Sequence, residues 1–490
     1  MQVFFVFTSN LSMGPPPSKR LKKQDSCIAT GQGIDFVTVS FSKELVLKVF
    51  SFLSLQDLVQ CTAVSPHWSR ISNDEMLWKP LFIRRFTDQP YRGDKKYMLY
   101  NKRQTSTSRY NGSWKKKYRI HHNWTLGNCL INDVVSNPIS LSPNHLQFIH
   151  DIIFTADENI PQINVWKYEK ETSSPHVIHQ LQATEQSENT QITFMKLTGA
   201  EDHEKHLIAG YSNGGFTLWQ VSATKFTEVA HYIPTVQFGK VVSIGMELPM
   251  IAVCTESGEL VIFRIEMDKS CFKLVHQLKS PMNWFPVSID IQRYPTSKID
   301  SWKVVLCFGL SGGNYTTSVG IQEIILSLNS IVSSRHGFAL NAEPMIVSSS
   351  SGGCSRSNSD KITAMTYSPP QLITAHANNT MKHYVVENVK GSLEILFKQT
   401  LYGHTFRVDA LAIDASKRRL VSGDRSVMKI WDLSTQSGEC QATLENYTDQ
   451  SDMSELPDAK INTIGFDEDK IVAILTLSRG PLIRSWSFDS

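Results

Sequence analysis

The sequence predicts a small all-α module near the N-terminus, followed by a larger all-β domain of repeated antiparallel units. Three observations carry this. Residues 41–82 hold three helix starts in close succession. From residue 139 the chain alternates apolar and polar residues at strand period, in segments that recur about every 50 residues. The aromatics that close those segments are 53 residues apart from Trp166 to Trp219, then 44 to Phe263, 121 to Tyr384, 47 to Trp431 and 55 to Trp486.

In the first module Ser42 is placed to cap a helix whose apolar residues Leu45, Val46, Val49, Phe50 and Leu53 recur at helical spacing. Ser54-Leu-Gln-Asp57 is a capping-box variant, with the serine oxygen and the aspartate carboxylate both satisfying backbone N–H groups orphaned at a helix start. It opens a second helix bearing Leu58, Val59, Ala63 and Val64. Ser65-Pro66 gives a cap followed by proline at the first helical position, where its missing N–H costs nothing. Trp68 and Ile71 supply the third helix with a buried face, and Asn73 caps a last short turn ending at Trp78-Lys-Pro80. A run of about 40 residues buries too little surface to stand alone, so its apolar side chains need a partner or a neighbouring domain.

At 490 residues the chain is long enough for two or three domains, and 41% hydrophobic with 19% charged residues is ordinary for a soluble globular protein. A net charge of +3 is too small to imply a nucleic-acid or membrane partner. The eight cysteines (27, 61, 129, 254, 271, 307, 354, 440) are scattered without a C-x-x-C pair, which favours free thiols in a reducing compartment over disulfides or zinc. No apolar stretch approaches membrane-spanning length. Val3-Phe-Phe-Val-Phe7 lacks the basic flank and cleavage site of a signal sequence, so a start at Met13 is an equal reading. Residues 1–36 read as a disordered basic tail, in which the run from Pro15 to Lys23 has the form of a nuclear import signal or of a solvated tail. The expected location is the nucleus, the cytoplasm or both.

The helical module is assigned to residues 37–83, and a basic helical connector follows at 84–122. Within 92–119 ten lysines and arginines stand against one acid, Asp94, and Trp114 and Tyr118 fall four apart on one helical face. Such a segment either binds RNA or phosphate, or is a solvated helix whose aromatics dock on the next domain; the second reading is preferred. The repeat domain occupies 123–490. Its best unit opens at Gly403-His404, with strands at 408–413, 419–423 and 427–432, the last ending in Trp431-Asp432. The interval of 121 holds two units, one of them degenerate, and a Ser/Gly-rich loop insertion at about 327–360. Seven units therefore fit. The last shows only three strands, so the segment from Asn123-Trp124 to about Ile131 is expected to supply its outer strand and close the ring.

There is no P-loop, Gly-rich dinucleotide turn or His-Glu-x-x-His motif, and His121, His122, His203 and His206 lack Cys or acidic companions at ligand spacing. No cofactor, metal or catalytic residue is assigned.

The spacings Leu53-x-x-x-Asp57-Leu58, Val64-x-x-x-Trp68 and Leu77-Trp78 resemble the F-box pattern, with Phe41-Ser42 where that family usually has Leu-Pro. The Gly403-His404 to Trp431-Asp432 unit resembles a WD40 repeat, and the repeats together a β-propeller. The chain thus resembles an F-box/WD40 protein: a small all-α F-box module followed by an all-β WD40-type propeller of seven blades. The resemblance implies a substrate-recognition subunit of a Skp–cullin–F-box ubiquitin ligase, non-catalytic itself. Its F-box would dock on a Skp-type adaptor, and through it a cullin, using Phe41, Ser42, Glu44, Leu45, Val49, Leu58 and Trp68. Its propeller would hold protein clients, phosphorylated ones included, with Arg407 and Arg425 as the candidate grips. The family often places an arginine six residues after the Gly of Gly-His; here that position is Asp409, and Arg407 stands two earlier. The alternative for these residues is that Arg425 decorates a turn and Asp409 sits in the internal polar network of the blade. The alternative for the whole chain is a WD40 scaffold of a nuclear or RNA-associated complex without ligase activity, a reading kept open by Phe41-Ser42 and the basic connector.

Overall fold

The structure is a computed structural model that describes residues 41–86 and 113–489, with internal breaks at 137–140, 168–175, 183–189, 199–204, 223–224, 236–238, 280–283, 297–298, 311–317, 329, 340–360, 390, 417, 436, 446–459 and 478–479. The basic tail at 1–36, most of the basic connector and the serine-rich run ending at Ser359 lie outside the described residues. The chain divides into two compact units, residues 1–77 and 78–490.

In the first unit, α1 (Lys43–Phe50), α2 (Leu55–Cys61) and α3 (Pro66–Ser72) bury Val46, Leu47, Phe50, Leu58, Cys61 and Ile71. The rings of Phe50 and Trp68 meet at 5.3 Å. Two of the expected caps form: the hydroxyl oxygens of Ser54 and Ser65 accept the N–H groups of Asp57 and Trp68, each at 3.2 Å. The Asp57 carboxylate does not return the bond to backbone; it accepts the Ser54 hydroxyl instead, at 2.7 Å. Ser42 occupies the N-cap position of α1, but its side chain makes no capping bond to the helix backbone. The last element is not a short turn. α4 (Glu75–Phe86) runs 12 residues through Pro80, started by the Asp74 carboxylate, which accepts the Met76 N–H at 3.0 Å. Asn73 is instead the C-cap of α3.

The second unit contains seven four-stranded antiparallel sheets. Blades 1 to 6 span residues 141–182, 192–232, 241–279, 284–339, 362–401 and 410–445. Blade 7 combines residues 460–487 with Leu130–Ser136, which pairs from Leu130↔Ser487 to Ser136↔Leu482. The ring is therefore closed by an N-terminal strand, as the sequence required, but that strand starts at Leu130. Asn123 and Trp124 are helical, within α5 (Trp114–Leu126), which begins at the cap Ser113 and ends at Gly127 with φ of 74°. A side chain would rarely adopt that left-handed conformation.

The fourth blade, degenerate in sequence, has the two longest described strands, and its four run 13, 12, 10 and 9 residues. Its outer strand, Ile331–Ala339, falls inside the stretch expected to be a loop insertion, so only 340–360 remains for one. A buried hydrophobic cluster lies at each junction between neighbouring blades. That arrangement explains the near-continuous apolar runs of the second and third strands, whose two faces both pack on neighbours.

α4 and α5 meet through aromatics rather than presenting them. Trp78 packs on Tyr118 at 5.6 Å, Phe82 on Trp114 at 5.5 Å and Phe86 on Tyr118 at 5.3 Å. Lys115 and Lys117 lie over the rings of Trp78 and Phe82. Arg85 donates to the Tyr118 hydroxyl at 2.6 Å. The aromatics of the Trp-Lys-Lys-Lys-Tyr element do dock, but on the preceding helix α4 rather than on the next domain as expected, because Trp78, Phe82 and Phe86 present their rings to them.

The far end of α5 is fixed to blade 7. The Trp124 ring stacks on Phe488 at 3.9 Å and its indole N–H donates to the Glu468 carbonyl at 2.8 Å. Asn123 donates to the Phe488 carbonyl at 2.9 Å, and Lys116 and Arg119 pair with Asp489 at 2.6 and 2.7 Å. Buried apolar contacts and satisfied polar groups together make this helix part of the propeller's core.

Candidate docking surfaces

The helical unit offers one open apolar stripe. α1 carries two apolar faces: Val46, Leu47 and Phe50 are buried, while Leu45 and Val49 are 56% and 61% exposed. Phe41 just before the helix and Phe52 just after it are exposed as well, Phe52 at 77%. Val59 and Val64 are exposed as well. Scattered exposed apolar residues are ordinary, but a stripe of this kind marks an interaction surface.

Of the residues expected to meet an adaptor, Phe41, Ser42, Glu44, Leu45 and Val49 are exposed, whereas Trp68 is half-buried against Phe50. Leu58 is only 1% exposed. It belongs to the unit's own core and cannot contact a partner directly, because the fourth residue of α2 points inward. Glu44 sits in the first turn of α1, where backbone N–H groups and the Ser42 hydroxyl lower its carboxyl below the usual carboxylate range. Sequence reading missed Phe52; its i+3 and i+7 spacing from Val49 and Leu45 was the available signal.

On the propeller, blade topology defines two faces. One carries the connections entering each inner strand and the turns between second and third strands; the other carries the remaining turns. Arg407 precedes the inner strand Ala410–Asp414, and Arg425 lies in the turn between Arg419–Gly423 and Val427–Asp432, so both share the first face. Lys460, the first residue of the inner strand of blade 7, shares it too. α5 is held at Glu468 and Phe488, in turns of the opposite face. All three cations are exposed. Asp409 bridges Nε of Arg407 at 2.8 Å and Nζ of Lys460 at 3.3 Å.

Asp409 is therefore a surface residue, not a member of the blade's internal network. That role falls to Asp424. Its carboxylate pairs with Nδ1 of His404 at 2.8 Å, Nε2 of His404 meets the Ser422 hydroxyl at 2.7 Å, and the Trp431 indole N–H donates to Ser422 at 2.8 Å. The second Asp424 oxygen accepts the N–H groups of Ser426 and Val427 at 2.7 and 2.9 Å. Burial opposes charge on Asp424, but the His404 and backbone bonds outweigh it and pull the carboxyl down to about 2. Serine, histidine and aspartate here copy the spacing of a nucleophilic triad. Ser422 is fully buried and already engaged by Trp431, so no substrate can reach it; the network fixes the turn that presents Arg425.

One nucleophile-type pattern escaped the sequence reading: Gly210-Tyr-Ser212-Asn-Gly214 fits Gly-x-Ser-x-Gly. It occupies the turn between two strands of blade 2, and Ser212 accepts the Gln191 N–H at 3.1 Å. A strand-turn-strand setting is not the strand-turn-helix elbow that chemistry needs. Among the described residues no group of three or more metal-ligating side chains occurs, and no helix is long and apolar enough to cross a membrane.

A capped helix cluster with an open apolar stripe, joined to a seven-bladed propeller, defines an F-box protein of the propeller class. The chain belongs to the F-box protein pof12 beta-propeller family, whose model matches residues 129–454. An F-box-like model matches residues 43–84, from the start of α1 to near the end of α4. The chain is similar to F-box protein dre-1 of Caenorhabditis elegans, 33% identical over 81 residues, which cover 16% of this chain and 9% of that protein. It is also similar to an F-box protein of Saccharomyces cerevisiae, 24% identical over 151 residues, covering 27% of this chain and 23% of that protein. The chain thus spans less than a quarter of either relative.

Proposed function

We propose that this protein is the substrate-recognition subunit of a Skp–cullin–F-box ubiquitin ligase. The exposed stripe of α1, from Leu45 through Val49 to Phe52, carries the proposal, since a helix with one face already buried leaves the other for a partner. A Skp-type adaptor covers that stripe and brings the cullin with it. Membership of an F-box family supports the reading. The propeller holds protein clients on the face of Arg407 and Arg425. No step of ubiquitin transfer runs through this chain; it raises the client's effective concentration near the loaded conjugating enzyme. The basic run before Lys23 suits work in the nucleus as well as the cytoplasm.

The test is capture of adaptor and cullin on tagged full chain, wild type against the double variant Leu45→Glu, Val49→Glu. Both positions are exposed, so the thermal midpoint should hold within about 2 °C, since surface changes cost little. Capture should fall at least about tenfold, because two carboxylates would be buried without partners. Undiminished capture by the folded variant, or none by wild type, refutes the assignment.

A further inference from the structure

We propose that the α4–α5 helix pair binds the phosphodiester backbone of a nucleic-acid strand without reading its sequence. This goes beyond the receptor reading and does not depend on it.

The chain's net charge of +3 is unevenly distributed. Residues 78–126 carry thirteen lysines and arginines against two acids, Asp88 and Asp94, whereas residues 127–490 carry 29 against 38. The stretch 87–112, outside the described residues, holds six of the thirteen cations and both acids. Its own composition therefore adds to the positive charge of the helices on either side of it. The acidic stretch 446–459 ends at Lys460, on the propeller face opposite to the turns that hold α5.

The two helices hold the other seven cations in a defined arrangement. Lys116 and Arg119 are committed to Asp489 at blade 7. Four of the remaining five stand over the rings of the α4–α5 seam. Nζ of Lys79 and of Lys117 lie 5.6 and 5.2 Å from the centre of the Trp114 ring. Nζ of Lys115 is 5.5 Å from that of Trp78, and the Arg85 guanidinium is 5.5 Å from that of Tyr118. Arg84 adjoins Arg85 in α4. Lys79, Arg84 and Arg85 are exposed and have no carboxylate partner among the described residues. A ring face attracts a cation without neutralising it, so these groups are held in place and keep their charge. The crowding is felt at Lys115, where burial and then the Arg119 charge pull the ammonium below its ordinary value. An anion laid along the seam relieves that repulsion.

The form of the cluster selects the occupant. A continuous run of cations is matched by a chain that carries a negative charge at every unit, as a phosphodiester strand does. An acidic peptide offers carboxylates only at some positions. The rings that would stack on bases are already engaged with one another: Trp78, Phe82 and Tyr118 are buried, and Trp114 packs on Phe82. Contact is left to the phosphates, which position a strand without reading its sequence.

The experiment uses purified full chain and fluorescein-labelled RNA and DNA strands of equal length and several sequences. Fluorescence polarisation is read from about 50 to about 200 mM salt. Binding should fall with a logarithmic salt slope of about −3.5, the value for about five phosphates neutralised on a single strand. The double variant Lys79→Gln, Arg84→Gln should weaken binding about tenfold for every strand alike and flatten the slope by about 1.4. Both positions are exposed, so its thermal midpoint should match that of wild type. Arg407→Gln, on the other face of the propeller, should change neither binding nor slope. Absence of binding at the lowest salt, or a double variant that binds like wild type, overturns the proposal. A tenfold preference among strands of equal length overturns recognition through the backbone alone. Tighter binding of polyglutamate or of anionic-lipid vesicles at equal charge overturns nucleic acid as the occupant. Adaptor capture on the same preparations tests the receptor reading separately, since it uses the exposed stripe of α1.

Discussion

Replacing Trp124 by alanine should cost the propeller about 4 kcal/mol, more than any single exposed substitution. Trp124 is fully buried at the joint between α5 and blade 7. A buried indole removes roughly 200 Å² from water, worth about 5 kcal/mol at about 25 cal/mol/Å², part of which the alanine methyl retains. Core Trp→Ala substitutions fall at about 3–5 kcal/mol for this reason. Its stack on Phe488 at 3.9 Å and the guanidinium of Arg419 at 3.9 Å from the ring are lost in the same step. Arg419 is itself buried, which pulls it down to about 10 against the pull of Asp414, Asp432 and Glu468, so losing the ring leaves a poorly compensated cation. Trp124→Phe keeps a ring in the stack and loses the indole bond to the Glu468 carbonyl, for about 1–2 kcal/mol. Urea unfolding of the full chain, followed by far-ultraviolet circular dichroism, reads both. The reasoning is refuted if Trp124→Ala keeps the wild-type midpoint, or if the phenylalanine variant is damaged as badly as the alanine one.

Two further outcomes follow from particular contacts. Burial, then the neighbouring Asp469 charge, push the Asp467 carboxyl up to about 7, so the folded chain holds a proton there that the unfolded chain releases near the ordinary carboxylate value. Its favourable contribution is complete below that ordinary value and is lost as pH rises to about 7. Asp467→Asn keeps an oxygen to accept the N–H groups of Asp469 and Lys470, and should raise the thermal midpoint at pH 8 with no gain at pH 4. An equal gain at both would remove the charge explanation. Gly337, in the outer strand of blade 4, lies where a Cβ would strike the Leu393 backbone oxygen of blade 5. Backbone cannot rotate away as a side chain can, so Gly337→Ala should destabilise by about 2 kcal/mol, read as a lower urea midpoint.

Local chemistry was legible in the sequence. The caps at Ser54 and Ser65 form because a hydroxyl three residues before an N–H is a property of the chain itself. The blade count followed from the recurrence of strand periods and closing aromatics, and the need for an N-terminal closing strand followed from a last blade with three strands. Arg407 and Arg425 fall on one face because the turns of one blade unit fix which end of the sheet each occupies.

What sequence could not decide was set by partners distant along the chain. The closing strand begins at Leu130 because it must register with Ser487, while Trp124 remains helical because Phe488, Glu468 and Arg419 enclose its ring. The fourth blade lost its repeat signature yet kept its sheet, because apolar packing against blades 3 and 5 asks for shape and burial rather than for particular letters. Periodicity marks Leu58 and Phe52 alike as apolar, but only the packing of three helices turns one inward and leaves the other open. Asp424 and Asp409 were indistinguishable as carboxylates until the turn closed on His404, burying the first and leaving the second between two surface cations. Sequence by itself determined the elements and their number, because caps and periods are local; tertiary structure alone decided which face each side chain shows, because burial and charge pairing depend on what the rest of the chain brings alongside.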